Sequence, residues 1–189
     1  MRLRRHAAAL SFVTAAVFAA MTALEFFYFR SLSGGLPSLD LRFQGFSESE
    51  GFAWIAALGR RGAETILVWH YLTFDLIFPV LLSATLVSLI LKTGDRLPRF
   101  AAMAETMRSV VALTLVLPYT IADYAQNIVV ARILSDPPAA GARSMALASA
   151  LIVTKFALLA VPFIVIAAFV LAAVRKQSIP RDDGNRLKG

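Results

Sequence analysis

The stretch ILVWHYLTFDLIFPVLLSATLVSLIL, residues 66–91, decides the fold class of this chain. A helix needs about 20 predominantly apolar residues to cross the roughly 30 Å hydrocarbon core of a bilayer, and this stretch is longer than that. It carries one acid, Asp75, and one proline, Pro79. It therefore predicts a membrane-spanning helix that contains an ionisable side chain.

Three further runs have the same apolar character, at residues 7–29, 107–134 and 145–174. Continuous runs of this length are typical of helices, because strands of membrane barrels alternate in polarity and span about ten residues. We expect an all-α membrane protein, a four-helix transmembrane bundle. Residues 1–176 form its single domain, and residues 177–189 are expected to be a disordered basic tail.

Composition excludes an ordinary soluble protein. Of 189 residues, 58% are hydrophobic and 16% charged, with a mean hydropathy of +0.69, whereas soluble domains are about 25% charged. The chain has no cysteine, and it has no glycine-rich phosphate loop, His-Glu-x-x-His or Gly-x-Ser-x-Gly motif. The sequence therefore predicts no catalytic residue, no metal site and no cofactor, and an enzyme is the less favoured class.

The distribution of basic residues predicts the topology. Twelve Lys and Arg residues flank one side of the predicted spans and six flank the other, which by the positive-inside rule places both termini in the cytoplasm. We expect a multi-pass protein of a bacterial inner membrane. The net charge of +7 does not indicate nucleic acid, because the basic residues stand at helix ends. The expected partner is the lipid bilayer.

The first run has a second interpretation, as a cleaved signal peptide. A basic start, an apolar stretch and small residues near Ala19 fit that pattern. However, the apolar run continues through Phe26 to Phe29, which gives a full span ending in aromatic residues. Retention as the first helix is the favoured interpretation.

The loop of residues 30–65 contains a helix start signal. Ser47 and Glu50 form a Ser-x-x-Glu capping box ahead of apolar and aromatic residues. This predicts a short amphipathic helix from about Glu48 to Leu58 that caps the bundle at the outer interface. A solvated connecting helix is the alternative.

Ionisable residues inside spanning helices are costly unless they are partnered, so they are candidates for function. At a rise of about 1.5 Å per residue, three of them share one level in the bundle: Asp75, Asp123 and Lys155. His70 and Glu25 lie nearer the outer end, with Asn127 between the two layers. We predict a polar cluster in the outer half of the bundle.

A polar stripe on the third span supports an interior site. Tyr119, Asp123 and Asn127 are spaced four residues apart with Gln126 alongside, so they share a helix face that must contact protein or water. His70 and Asp75 are five residues apart, which at α-helical spacing does not place them on one face. We therefore predict that these two do not form a ligand pair.

Prolines break three of the predicted spans. Pro79 displaces the backbone carbonyl of Asp75, four residues earlier. Pro118 and Pro162 lie inward of Asp123 and Lys155 respectively. Broken helices with free carbonyls and acids bind ions in many transporters, although proline is also common in membrane helices and an Asp–Lys pair can simply join two of them.

The balance of charges in the predicted cluster indicates which ligand it binds. Two acids, Asp75 and Asp123, face one lysine, so one carboxyl must hold a proton or meet a cation. The sequence favours binding or permeation of a proton, cation or small polar solute. The alternative is a structural or assembly role with other membrane proteins or in a homo-oligomer, and a lipid-modifying enzyme comes third.

Several of these residues also occur in a recognisable pattern. Gly45-Phe46-Ser47 is followed by Asp75-x-x-Phe78-Pro79 and by Pro118-x-x-x-x-Asp123-x-x-Gln126-Asn127. This resembles a family of uncharacterised bacterial four-span membrane proteins. The resemblance covers the middle of the chain and departs at Gln126, where the family pattern has Glu. It implies the four-helix fold and the same polar positions, and it implies no activity.

Overall fold

The computed structural model describes residues 6–177, and every regular element in that range is helical. Five long helices form the fold: α1 (Ala7–Leu24), α2 (Glu48–Ile66), α3 (Asp75–Gly94), α4 (Glu105–Ser135) and α5 (Ala142–Gln177). Short helical turns lie in the connections, at Leu39–Leu41, Pro98–Ala101 and Pro137–Ala139. The basic N-terminal arm and the predicted tail beyond residue 177 lie outside the described residues.

Two segments of π-helix interrupt the long helices. One, Glu25–Phe29, extends α1 into a final turn at Arg30–Leu32, and the other, Leu67–Phe74, joins α2 to α3 without a loop. In both, the backbone N–H that follows the segment donates five residues back: from Arg30 to Glu25 and from Asp75 to His70. A π-turn holds an extra residue and therefore changes which side chains share a face.

The predicted amphipathic helix is confirmed. Ser47 caps it in a capping box with Glu50, and the helical path breaks at Gly59, whose φ of 60° favours glycine. Trp54 is fully buried in a core that includes Ile133 and Leu134 of α4. The helix therefore packs on the bundle, and the solvated alternative is wrong. Helix resumes directly after Gly59, earlier than the predicted start of the second span at residue 66.

Within residues 6–177, three helical stretches are long and apolar enough to cross a membrane: Ala7–Leu32, Glu48–Gly94 and Ala142–Arg175. Large apolar side chains are exposed along them, including Phe27, Val80 and Ile164, and contiguous apolar surface of this kind is typical of lipid contact. Helix α4 is 31 residues long, but its polar residues lower its hydropathy below that of the other three.

Two hydrophobic cores divide the bundle along its length. The loop-side core lies under the loop between α1 and α2 and includes Leu39, Trp54, Tyr71, Val130 and Ile152. The far core includes Leu86, Ile90, Phe100 and Val116, with Leu159 packed against it. In α4 and α5 the buried residues Asp123, Gln126, Asn127 and Lys155 lie between members of the two cores, and Asp75 lies between Tyr71 of the loop-side core and Leu86 of the far core. The fold therefore holds a polar layer between two apolar ones.

Candidate functional site

The polar layer contains a group of five ionisable residues, which we call the ion cluster: Asp40, His70, Asp75, Asp123 and Lys155. They come from the first loop, the π-helical segment before α3, α3 itself, α4 and α5. All except Asp40 are buried, and the Asp40 side chain is 11% exposed. The cluster therefore joins the first loop to three helices inside the protein.

Asp40 reaches the cluster because its loop is held tightly on the bundle. Leu39 is fully buried in the loop-side core. The buried carboxylate of Glu25 accepts hydrogen bonds from the backbone N–H of Ser38, at 3.0 Å, and from the Ser38 hydroxyl, at 2.5 Å. Glu25 thus anchors the loop. It makes no ion pair with the cluster and instead lies 3.7 Å from Arg30.

Lys155 pairs with two carboxylates. Its Nζ lies 2.9 Å from Asp123 Oδ1 and 3.0 Å from Asp40 Oδ1, and it also donates a hydrogen bond to the side-chain oxygen of Gln126. The predicted proximity of Asp123 and Lys155 is confirmed. The second acid beside Lys155 is Asp40, a loop residue that the helix periodicity does not indicate.

His70 and Asp75 form a close pair, so the prediction that they do not is wrong. His70 Nε2 lies 3.3 Å from Asp75 Oδ2 and 3.2 Å from Asp40 Oδ2. The reason is the π-helical segment Leu67–Phe74, in which residues five apart stack because the hydrogen bonds run from i to i+5. His70 also lies at the level of Asp75 rather than in a separate outer layer.

The carbonyl displaced by Pro79 has a defined partner. The side-chain Nδ2 of Asn127 donates to the Asp75 carbonyl oxygen at 3.1 Å. Asn127 thus supplies the hydrogen bond that the proline ring cannot make. One turn along, the Tyr124 hydroxyl donates to the Leu76 carbonyl at 2.7 Å. The carbonyl that Pro79 leaves without a helical donor is therefore satisfied by α4.

The polar stripe of α4 faces the protein interior as predicted: Tyr119, Asp123, Gln126 and Asn127 are all buried. Helices α3, α4 and α5 continue through Pro79, Pro118 and Pro162, so the prediction that these prolines break the spans is wrong. Three buried atoms around the cluster have no hydrogen-bond partner among the described residues: His70 Nδ1, Gln126 Nε2 and Asn127 Oδ1. The layer thus retains hydrogen-bonding capacity that this part of the protein does not use.

Sequence reasoning missed Asp40 and Tyr71. The Tyr71 hydroxyl donates to Asp40 Oδ2, the oxygen that also faces His70. Burial acts to raise the pKa of Asp40, but Lys155, His70 and Tyr71 together hold this pKa below its ordinary value. Asp40 is therefore an ionised carboxylate. No periodic signal reports on it, because its position depends on how the loop folds over the bundle.

Comparison with protein-family models, with curated proteins and with solved structures finds no match for this chain. Three carboxylates face one ammonium group, so a neutral His70 leaves two negative charges in excess. One atom each from Asp40, His70 and Asp75 lies within 4.8 Å of the others. Such a cluster attracts cations and can hold protons or a metal ion.

Proposed function

We propose that this protein is a four-span integral membrane protein of a bacterial inner membrane whose ion cluster binds a proton or another cation. Helix α4 is the fourth span in this proposal. The polar residues in the middle of α4, Asp123, Gln126 and Asn127, are buried. Its side chains contact both neighbours, through Asn127 to α3 and through Asp123 to α5. Burial of these groups removes the main obstacle to placing α4 in lipid.

The orientation follows from charge. Both termini lie in the cytoplasm, on the side flanked by twelve basic residues. The loop between α1 and α2 then lies on the opposite face, and Asp40 enters the bundle from that side. The cluster is closer to the outer surface than to the cytoplasm, and it is reached from outside.

The excess of negative charge carries the functional proposal. An uncompensated charge inside a protein costs several kcal/mol, so the group either takes up a proton or pairs with a cation. A role limited to joining helices requires only matched pairs, such as Lys155 with Asp123. The additional acids, Asp40 and Asp75, exceed that requirement. The cluster is therefore best explained as a cation site.

The test is the thermal stability of the purified protein in detergent across pH and in a panel of cations. A protein that binds a ligand in its folded state is stabilised as the ligand concentration rises. We expect the melting temperature to shift with pH or with at least one cation, and Asp75→Asn to reduce that shift. Asp136→Asn is the matched control, because Asp136 is exposed in the loop before α5.

A wild-type melting temperature that is flat in both series would refute the cation site. Uptake by vesicles reconstituted with the protein then separates binding from permeation. Permeation requires cation flux that Asp75→Asn abolishes. Binding alone gives the stability shift without flux.

A further inference from the structure

We propose that the cation is a divalent first-row transition metal, bound by Asp40 Oδ2, His70 Nε2 and Asp75 Oδ2. This inference rests on the proposed cation site and names its ligand. The three donor atoms come from different places in the sequence, yet they converge on one point below the loop. One imidazole and two carboxylates are a common donor set for such metals.

The distances from His70 to the two carboxylates match the spacing of ligands around a metal ion. Zinc binds nitrogen and oxygen ligands at about 2.0–2.1 Å in a tetrahedron, which puts neighbouring ligand atoms about 3.3 Å apart. His70 Nε2 lies 3.2 Å from Asp40 Oδ2 and 3.3 Å from Asp75 Oδ2. One ligand atom from each of the three residues lies within 4.8 Å of the other two. Three protein ligands leave one tetrahedral position for a water molecule.

Neighbouring groups already orient one of the ligands. Asp40 keeps its Oδ1 on Lys155, at 3.0 Å, and its Oδ2 accepts a hydrogen bond from Tyr71. Ligating carboxylates in metal sites are usually held by hydrogen bonds of this kind. Asp40 therefore needs no new partner in order to present Oδ2 to a metal.

Charge favours a divalent ion. With Lys155 positive and His70 neutral, the three carboxylates leave an excess of two negative charges, which one divalent ion brings to zero. Without metal, two protons are needed for the same balance, one on His70 and one on a carboxyl. Metal binding therefore releases up to two protons, because metal and protons compete for the same atoms.

The donor set selects among metals. Magnesium and calcium prefer oxygen ligands in larger numbers, whereas imidazole suits zinc, iron, nickel and copper. The paired carboxylates without thiolate disfavour copper(I). We use Zn²⁺ as the probe, with Mg²⁺ and Ca²⁺ as comparison ions.

The experiment is calorimetric titration of Zn²⁺ into the chelator-treated protein in detergent, without a polyhistidine tag. We expect one Zn²⁺ per chain, a rise in melting temperature, and heats that vary with the ionisation enthalpy of the buffer because protons are released. Mg²⁺ and Ca²⁺ are expected to have no effect at the same concentration.

Variants locate the ligands. His70→Gln and Asp40→Asn are expected to weaken Zn²⁺ binding by at least about 10-fold, because effects of this size already follow the loss of groups that only support a ligand. The chain has two histidines, so His6→Gln is the matched control and is expected to bind like wild type. The visible absorption spectrum of Co²⁺ bound to the wild-type protein tests for tetrahedral nitrogen and oxygen ligands even if a variant fails to fold.

The outcomes separate this inference from the proposed function. Zn²⁺ binding that survives both His70→Gln and Asp40→Asn overturns the metal site, as does a Co²⁺ spectrum without tetrahedral character. Absence of Zn²⁺ binding, together with a pH-dependent melting temperature that Asp75→Asn flattens, overturns the metal and leaves a proton site. A melting temperature that responds to neither pH nor any cation defeats both.

Discussion

The two ends of the bundle satisfy their buried polar groups in different ways. Around the far core these groups are hydroxyls with partners close at hand: Ser88 donates to the Ala84 carbonyl within its own helix, and Thr14 meets Thr85 at 2.8 Å. Near the loop-side core several of them are ionisable, and Asp40, His70, Asp123 and Lys155 meet partners from other elements. Regular α-helix suffices at the far end, whereas the loop end requires two π-helical segments and an inserted loop.

This contrast shows where the chain uses its irregular structure. Both π-helical segments hold a buried ionisable residue, Glu25 in the first and His70 in the second. Glu25 anchors the loop that carries Asp40, and His70 contacts Asp40 directly. Departures from α-helix therefore coincide with charged contacts, as π-turns at functional sites commonly do.

The largest effect is expected from loss of the buried Lys155 ammonium group. Lys155→Met leaves Asp40 and Asp123 without their common partner, and breaking a buried ion pair costs about 3–5 kcal/mol. Denaturant or thermal unfolding in detergent measures this loss of stability. Thr154→Ala, at an exposed neighbouring position, is the control, with a change within about 0.5 kcal/mol. A Lys155 variant as stable as this control would show that the pairs contribute nothing.

A cavity in the far core is expected to lower the free energy of unfolding nearly as much. It should leave the dependence of the melting temperature on pH and cations unchanged. Ile90 is fully buried there, and Ile90→Ala is expected to lower the free energy of unfolding by about 2–5 kcal/mol. Leu113→Ala, on an exposed face of α4, should be close to neutral. If Ile90→Ala changed the cation response as Asp75→Asn does, the two ends would not be independent.

A smaller effect with a distinct pH dependence is expected from Asp40. Asp40→Asn keeps the shape of the side chain but loses charged hydrogen bonds worth about 2 kcal/mol. Because the pKa of Asp40 is lower in the folded protein than its unfolded value of about 3.9, its stabilisation is present above that pH and disappears as the pH falls. The melting temperatures of variant and wild type should converge below about pH 4. A constant difference down to the acid limit would contradict the ionised carboxylate.

The hydrogen bond that Pro79 removes from α3 can be tested by double mutation. Asn127→Ala deprives the Asp75 carbonyl of its partner and should cost about 1–3 kcal/mol. In a Pro79→Ala background the new backbone N–H at position 79 can reach that carbonyl, so the same change should cost less. The coupling energy measures how far Asn127 compensates for the proline. Additive effects would mean that the hydrogen bond is unrelated to the proline.

The smallest expected effect is at the helix cap. Ser47→Ala removes the capping box with Glu50 and should destabilise the protein by about 1 kcal/mol. Ser135→Ala removes an exposed hydroxyl that only bonds within its own helix and serves as the control. An equal effect of both substitutions would indicate that the capping box at the N-terminus of α2 does not stabilise the protein.

Much of the architecture can be predicted from local sequence patterns. Apolar runs predicted the helices, the Ser47–Glu50 spacing predicted the start of α2, and four-residue spacing predicted that Asp123 and Asn127 face inward. These features depend on neighbours within one or two turns. The sequence also predicted which carbonyl Pro79 displaces, because that effect lies within a single helix.

The composition of the ion cluster was only partly predictable. The contact between His70 and Asp75 depends on a π-turn, and a count based on 3.6 residues per turn assigns these two to different faces. Asp40 enters through a loop, whose path is determined by tertiary packing of Leu39 and by the hydrogen bonds of Glu25. Periodicity carries information about helices, and the residues that complete the cluster lie where the regular helix ends.

The anchoring of the loop gives the affinity and the residence time of the proposed cation different structural origins. Equilibrium affinity depends on the groups that face the ion. The exchange rate depends on how often the peptide around Ser38 lifts from the bundle, since Asp40 is attached to that peptide and Leu39 fills the space beside it. An ion in this site is therefore expected to leave slowly even when its affinity is modest, with Glu25, which is not a ligand, controlling the residence time.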